Sequence, residues 1–400
     1  MKILFLHRNF PAQFRHVAFE LAKNPLNLIL FITCNDSMNL RGINKLVYTP
    51  RPVSKGCNNF LYLYEDNVNH GQDAATLALA LKQRGIIPDV IYGHSWGQNM
   101  FMKDIFPDVP LICYFEWFGK TKGADLDFDG RLIDENYEAR IRFNNSSLLL
   151  DLDSCDVGVS PTNWQRSQFP KEFQDKIKVV PDGVNTEICK PDPNAKFIIA
   201  DKNLELTTKD EVITYATRGM EPYRGFPQFM EAAEKILKKR PNAHVVIAGQ
   251  DAVFYGQPLP KGTFKELMLD KLDLDMNRVH FVGSLAFHDY VSLLQISSAH
   301  VYLTYPFVMS WSALDAMAIG CCIVASNNYP VLEFIKDGYN GLLADFYDID
   351  GIVDKIEYAL DNRDKMQEIR KNAVKTIVEN YDFKDTLPKH IQFIESMIKK

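Results

Sequence analysis

No apolar run among the 400 residues is long enough to cross a bilayer, and the opening Met1–Phe10 segment is a short strand-like run ended by charge. It has no small-residue cleavage site, so neither a membrane anchor nor a signal peptide is expected. A basic surplus is also missing. The 45 Lys+Arg against 51 Asp+Glu leave a net charge of −6, which argues against a general nucleic-acid binder. The seven cysteines, at 34, 57, 113, 155, 189, 321 and 322, are odd in number and include no CxxC pair. That pattern points to reduced, buried thiols in a cytoplasmic protein. The nine histidines show no HExxH or other paired spacing, so no metal or other cofactor is expected. No GxGxxG follows the first strand, which sets aside a nicotinamide dehydrogenase.

What is present is 46% apolar, 12% aromatic and 24% charged residues, a globular composition with too much core material for one domain. At roughly 150 residues per domain, two or three are expected. Short apolar runs alternate with longer amphipathic segments. In the first half, strands are predicted at Lys2–His7, Leu26–Phe31, Lys45–Tyr48, Asp89–Tyr92, Leu111–Phe115, Asp156–Val159 and Ile177–Val180. In the second half they are predicted at Val212–Ala216, Ala243–Ala248, Val279–Val282, Ala299–Leu303, Cys322–Ala325 and Gly341–Ala344. Helical spacing between them includes Asp134–Leu150, Pro227–Lys239, Trp311–Ile319 and Val331–Lys336. This alternation predicts a doubly wound α/β fold with parallel sheets. The Pro- and Asp-rich stretch Asp182–Asp201 lacks periodicity and is expected to be a linker between two Rossmann-like halves. Ligands are then expected in a cleft at the carboxyl ends of the strands.

Four segments carry candidate chemistry. Arg218 and Arg224 bracket the loop after the Val212–Ala216 strand, and guanidinium forks match the oxygens of a diphosphate. Ser310 is a plausible N-cap for Trp311–Ile319, so first-turn amides there would face an anion, and Gly320 ends that helix. Asp315 lies on the same helix among Leu314, Ala316 and Met317, where a carboxylate must be paired or ligated. Glu116 stands at the tip of an apolar strand among aromatics, and its desolvated carboxylate should titrate high unless paired. His94 ends the preceding strand in the same way, although a lone His is more often a satisfied core residue. Glu333 falls at a predicted helix start, where a capping carboxylate is the plain alternative.

In order and spacing these segments resemble the retaining glycosyltransferases of family 4, which have the GT-B fold. Arg218-Gly219 through Arg224-Gly225 is similar to that family's G-R-x-x-x-x-K-G, with Arg224 in place of the Lys. Pro181-Asp182-Gly183-Val184-Asn185 looks like P-N-G-V-D, Leu314–Gly320 like L-E-A-M-A-x-G, and Asn340-Gly341-Leu342-Leu343 like x-G-L-L. The resemblance implies two Rossmann-like domains facing a central cleft. They would be 1–188 for the acceptor, with 382–400 crossing back onto it, and 189–381 for the nucleotide sugar. It also implies metal-independent transfer of a sugar from a UDP- or GDP-sugar to a glycan, lipid-linked or small-molecule acceptor. Arg218, Arg224 and Glu116 would then be catalytic. Gly219, Gly283, Met309, Ser310, Trp311 and Asp315 would bind donor, while Phe10, Gln13, His94 and Glu333 would lie near acceptor or sugar.

Two departures stand out. The family's first acid of a Glu-x7-Glu pair falls on Phe307, and Glu116 stands where a His is common. A nucleotide-sugar 2-epimerase of the same fold and a non-catalytic binding partner are the competing readings. Peripheral membrane contact stays open because acceptors of this family are often lipid-linked. The net −6 offers no polybasic patch, and Lys399-Lys400 is too small to be one.

Overall fold

The chain, seen in a computed structural model, is described over residues 1–131 and 133–398, so Lys399 and Lys400 lie outside the described residues. It forms two units, one of Met1–Asp182 with Lys384–Lys400 and one of Gly183–Phe383. The sequence reading set these breaks at 188/189 and 381/382.

Unit 1 is built on β1 (Lys2–Leu6), β2 (Leu28–Thr33), β3 (Ile43–Val47), β4 (Val90–His94), β5 (Leu111–Tyr114), β6 (Val157–Ser160) and β7 (Ile177–Val179). They form one parallel sheet in the order β3-β2-β1-β4-β5-β6-β7. Ile3 pairs with both Ile29 and Val90, so β1 lies between β2 and β4. The chain winds outward from β1 in both directions, which makes the β1/β4 edge the topological switch point. Both faces of the sheet are covered, so its central strands are buried on nearly every residue rather than on alternate ones. Ile3 and Phe5 pack with Phe14, Phe31 and Tyr92 on one face. Leu4 and Leu6 pack with Leu30, Ile32 and Ile91 on the other. The helix Phe383–Ile398 adds Ile394 to the first face, and His390 Nε2 lies 3.1 Å from the Tyr92 hydroxyl.

Unit 2 opens with an antiparallel pair, β8 (Lys196–Ile199) and β9 (Leu204–Thr207). β8 falls inside the stretch expected to be a linker. Only Phe197 and Ile199 of that strand point inward, onto Val212, Val246 and Leu293, while Lys196 and Ile198 face out. Two inward residues give too short a period to stand out beside Pro191, Asp192 and Pro193, yet each contributes about 1.5–3 kcal/mol by burial. The main sheet has β10 (Glu211–Gly219), β11 (Ala243–Gln250), β12 (Val279–Gly283), β13 (Ala299–Tyr302), β14 (Ile323–Ser326) and β15 (Leu342–Ala344). Its order is β12-β11-β10-β13-β14-β15, all parallel, with the switch point between β10 and β13.

Two local differences from the sequence reading matter for the site. β10 does not end at Ala216 but runs to Gly219 through a register shift, Ala216 pairing with Ala248 and Gly219 with Gln250. One extra residue on β10 is absorbed there as a bulge. The helix expected over Val331–Lys336 is instead a single helical turn, Tyr329–Leu332, which starts and stops earlier. Asn340 explains the early stop. Its Oδ1 accepts from Lys336 N at 2.7 Å and its Nδ2 donates to Phe334 O at 3.0 Å, replacing helical bonds. Among the described residues no helix is long and apolar enough to cross a membrane.

Candidate functional site

The carboxyl ends of β10, β11 and β12 and the start of the helix Trp311–Ile319 enclose a cavity of about 310 Å³ in unit 2. Thr217, Arg218, Gln250, Ser284, Tyr290 and Ser312 give it its polar groups, with Leu285 and Phe287 as apolar wall. Among the described residues no acidic side chain lines it, and Arg218 is its one cationic lining residue. A cavity beside the switch point of an open parallel sheet is where such folds hold ligands.

Arg218 is exposed, with its guanidinium 4.0 Å from the centre of the Phe254 ring. Gly219 permits this approach, because a Cβ there would lie 2.5 Å from Ala252 O and 2.7 Å from the Phe254 ring. Glu221, fully buried, accepts the amides of Phe254 and Tyr255 on Oε2 and so fixes the loop under the arginine. Burial raises the Glu221 carboxyl above its ordinary range, and those two amides counter the rise. Arg224 is placed differently from the sequence expectation of a matched arginine pair. It is buried, its Nη1 donates to Thr304 Oγ1 at 2.7 Å and to Val308 O at 3.1 Å, and it is absent from the cavity wall. The intervening turn explains this. Gly225, at φ +67°, sits where a Cβ would be 2.4 Å from Leu303, so the chain folds Arg224 inward as the helix Phe226–Lys239 begins.

Ser310 is the N-cap of the helix Trp311–Ile319, accepting from Ser312 N at 3.4 Å, as its position in the sequence suggested. Two amides expected to face an anion are used inside the fold: Ser310 N donates to the Tyr302 hydroxyl, and Ser312 N to Ser310 Oγ. Trp311 is half exposed, while Met309 packs against the core formed by Ala313, Met317 and their neighbours. Gly283 ends β12 at φ +67°, next to the lining residue Ser284. Asp315 is pushed up to about 7 by burial, a rise that Cys189 and Tyr290 counter, with Cys189 Sγ lying 3.7 Å from its Oδ1. Tyr290 lines the cavity and stands close enough to Asp315 to lower its pKa, while Asp315 itself does not line it. The place of Tyr290 in Phe287–Gln295 reads in the sequence as an ordinary amphipathic position, so sequence reasoning missed it.

Unit 1 gathers a second group around its own switch point. His7, Gln13, His94 and Glu116 come from the ends of β1, β4 and β5 and from the turn Ala12–Phe14. His7 Nε2 lies 2.8 Å from Gln13 Oε1, and Gln13 Nε2 lies 3.4 Å from Glu116 Oε1. Glu116 Oε2 is 3.5 Å from His94 Nε2. His94 is buried, neither of its ring nitrogens has a hydrogen-bond partner among the described residues, and desolvation lowers its pKa to about 3. Glu116 keeps 24% of its side-chain surface exposed and is not sealed among aromatics as the strand-tip reading supposed. Gln13, His94 and Glu116 were singled out in the sequence; His7 was not, because it reads as the last residue of an apolar strand.

Two candidates lie elsewhere. Phe10 is core, 6% exposed and edge-on to Phe31 at 4.8 Å, so it has no face to offer an acceptor. Glu333 follows the end of the turn Tyr329–Leu332 instead of opening a helix, and does not line the cavity. Phe307 stands edge-on to Tyr223 and Tyr255 at 5.6 and 5.1 Å, an aromatic cluster where the family pattern has its first acid. Among the described residues no three His, Cys, Asp or Glu side chains are grouped to hold a metal ion.

Two family models match the sequence: "Glycosyl transferase family 4 group" over 26–189 and "Glycosyl transferases group 1" over 196–376. The lipopolysaccharide 1,2-N-acetylglucosaminetransferase of Salmonella typhimurium is 22% identical over 62% of this chain and 66% of its own length. An N,N'-diacetylbacillosaminyl-diphospho-undecaprenol alpha-1,3-N-acetylgalactosaminyltransferase of Campylobacter jejuni is 27% identical over 50% of this chain and 48% of its own. The chain thus matches between about half and two thirds of the length of these relatives. Among solved structures, Anabaena Alr3699/HepE in complex with UDP-glucose superposes with a TM-score of 0.73 at 17% identity, over 99% of this chain and 100% of that one. Sucrose-phosphate synthase of Thermosynechococcus elongatus gives a TM-score of 0.71 at 13% identity, over 100% and 99%. With a family model on each half and two parallel Rossmann-like sheets, the chain belongs to the family 4, group 1 glycosyltransferases of the GT-B fold.

Proposed function

We propose that the chain moves a sugar from a nucleotide-diphosphate sugar to an acceptor hydroxyl, with retention at the anomeric carbon and without a resident metal. The observation that carries this reading is the unit-2 cavity. Its one cationic lining side chain, Arg218, is exposed and makes no hydrogen bond or ion pair among the described residues. A nucleoside diphosphate leaving group carries negative charge that grows in the transition state, and a pre-positioned guanidinium offsets it. Ser284, Ser312 and the backbone around Gly249 and Gly283 supply donors for the rest of the nucleotide. A UDP-sugar is favoured over a GDP-sugar because the similar fold of Alr3699/HepE was solved with UDP-glucose.

Glu116 is assigned to the acceptor hydroxyl, to orient it or take its proton. The relatives named above act on lipopolysaccharide and on a diphospho-undecaprenol-linked sugar, which favours a glycan or lipid-linked acceptor and peripheral contact with a membrane. Phe307 favours a second reading, a partner that binds nucleotide sugar without turning it over. A thermal-shift series with UDP, GDP, ADP and their sugars tests the first step. One nucleoside diphosphate should stabilise the protein by RT ln(1 + [L]/Kd), and no shift with any of them would overturn the reading.

A further inference from the structure

We propose that His7 and Gln13 are positioning residues that hold Glu116 as an ionised carboxylate toward its substrate, through a hydrogen-bond chain whose direction is set by the backbone amide of Asn9. This rests on the reading of Glu116 as the acceptor-side group.

The direction follows from donor counting. Asn9 N–H donates to His7 Nδ1 at 2.8 Å, and an amide nitrogen cannot accept, so Nδ1 carries no proton. A neutral His7 must then carry its proton on Nε2, 2.8 Å from Gln13 Oε1. Gln13 accepts there, which turns its NH2 toward Glu116 Oε1 at 3.4 Å. The last link is an acceptor, and the ionised carboxylate is the acceptor-only form. Every polarity is thus fixed from one peptide N–H. The surroundings keep His7 neutral. It is fully buried, desolvation lowers its pKa well below the ordinary value, and His94 lowers it further while Glu116 partly restores it. Titratable groups facing Glu116 include His94 on β4 and the Tyr114 hydroxyl on β5, which bonds Asp182 at 3.2 Å. Arg8 acts on His94 from beyond, its own guanidinium paired with Asp66 at 2.6 Å.

Two measurements test the chain. In the full-length protein, nitrogen-15 spectra of the histidine rings should show His7 as the neutral Nε2–H tautomer from about pH 5 to 8, assigned by its loss in His7→Gln. An Nδ1–H tautomer or an imidazolium in that range would overturn the proposal. Turnover of the UDP-sugar that stabilises the protein most gives the second. Gln13→Glu puts a like charge beside Glu116, so the acid limb of the kcat/KM profile should move to higher pH by about one unit. Its KM for the donor should hold. Gln13→Met should lower kcat roughly tenfold, and His7→Gln should keep more activity than His7→Phe because it retains a donor. An unmoved profile in Gln13→Glu, with Glu116→Gln inactive, would overturn the chain and leave the transfer reading intact. A fully active Glu116→Gln would overturn the reading beneath it and the chain together.

Discussion

Replacing Arg218 by alanine removes the one cationic side chain, among the described residues, from the wall of the cavity proposed to hold the donor. Its cost to the fold should be small. The guanidinium is exposed, makes no ion pair among the described residues, and rests on Phe254 at 4.0 Å, a contact worth about 0.5–1 kcal/mol. Its cost to catalysis should be much larger, because the charge of a departing diphosphate would meet no other cation on that wall. Loss of one such pre-positioned donor costs about 2.7–4 kcal/mol of barrier, or roughly 10²–10³ in kcat. Arg218→Lys keeps the charge but loses the fork, and should fall between the two. The assay is initial release of nucleoside diphosphate from the donor picked out by thermal shift, with Tm measured on each variant. A kcat/KM within about threefold of wild type for Arg218→Ala would refute the reasoning. A Tm fall of ten degrees or more would also count against it, since the arginine would then be structural.

Arg224→Ala should behave oppositely. It deletes buried charge-assisted bonds to Thr304 and Val308, each worth about 1.5–3 kcal/mol, so a Tm loss of several degrees should precede any specific effect on turnover. Unchanged Tm with turnover abolished would reverse the roles given to the two arginines. Asp315 makes a pH-dependent statement. Its folded pKa, near 7, lies above the unfolded value of about 3.9, so folded protein holds a proton that unfolded protein has released. The stability this confers is complete below about pH 4 and is lost as pH rises through 7. Asp315→Asn lacks that loss. Its Tm relative to wild type should therefore be higher at pH 8 than at pH 5, and an equal difference at both would contradict the shift.

The central strands of both sheets were readable from apolar runs because parallel strands covered on two faces need no alternation to be recognised. The helix Trp311–Ile319 was readable to the residue, since Ser310 and Gly320 mark its ends. What escaped depended on contacts distant in sequence. Asn340 cuts short the helix after Tyr329, the β10 bulge carries Arg218 to the cavity, and Gly225 turns Arg224 inward. Spacing alone gave the two arginines as a pair; packing separates an exposed one from a buried one. His7 escaped for a related reason. Its chemistry comes from the Asn9 amide and Gln13, neither of which marks a strand-end histidine as special.

The central claim is transfer from a nucleotide sugar with retention. Proton NMR of the purified protein with a panel of UDP- and GDP-sugars tests it most directly, because it sees donor, sugar and anomeric configuration in one time course. The account predicts consumption of one α-linked donor, release of its nucleoside diphosphate, and a first-formed product with α configuration that Arg218→Ala fails to make. A β-configured first product, an epimerised nucleotide sugar, or binding without any turnover would contradict it.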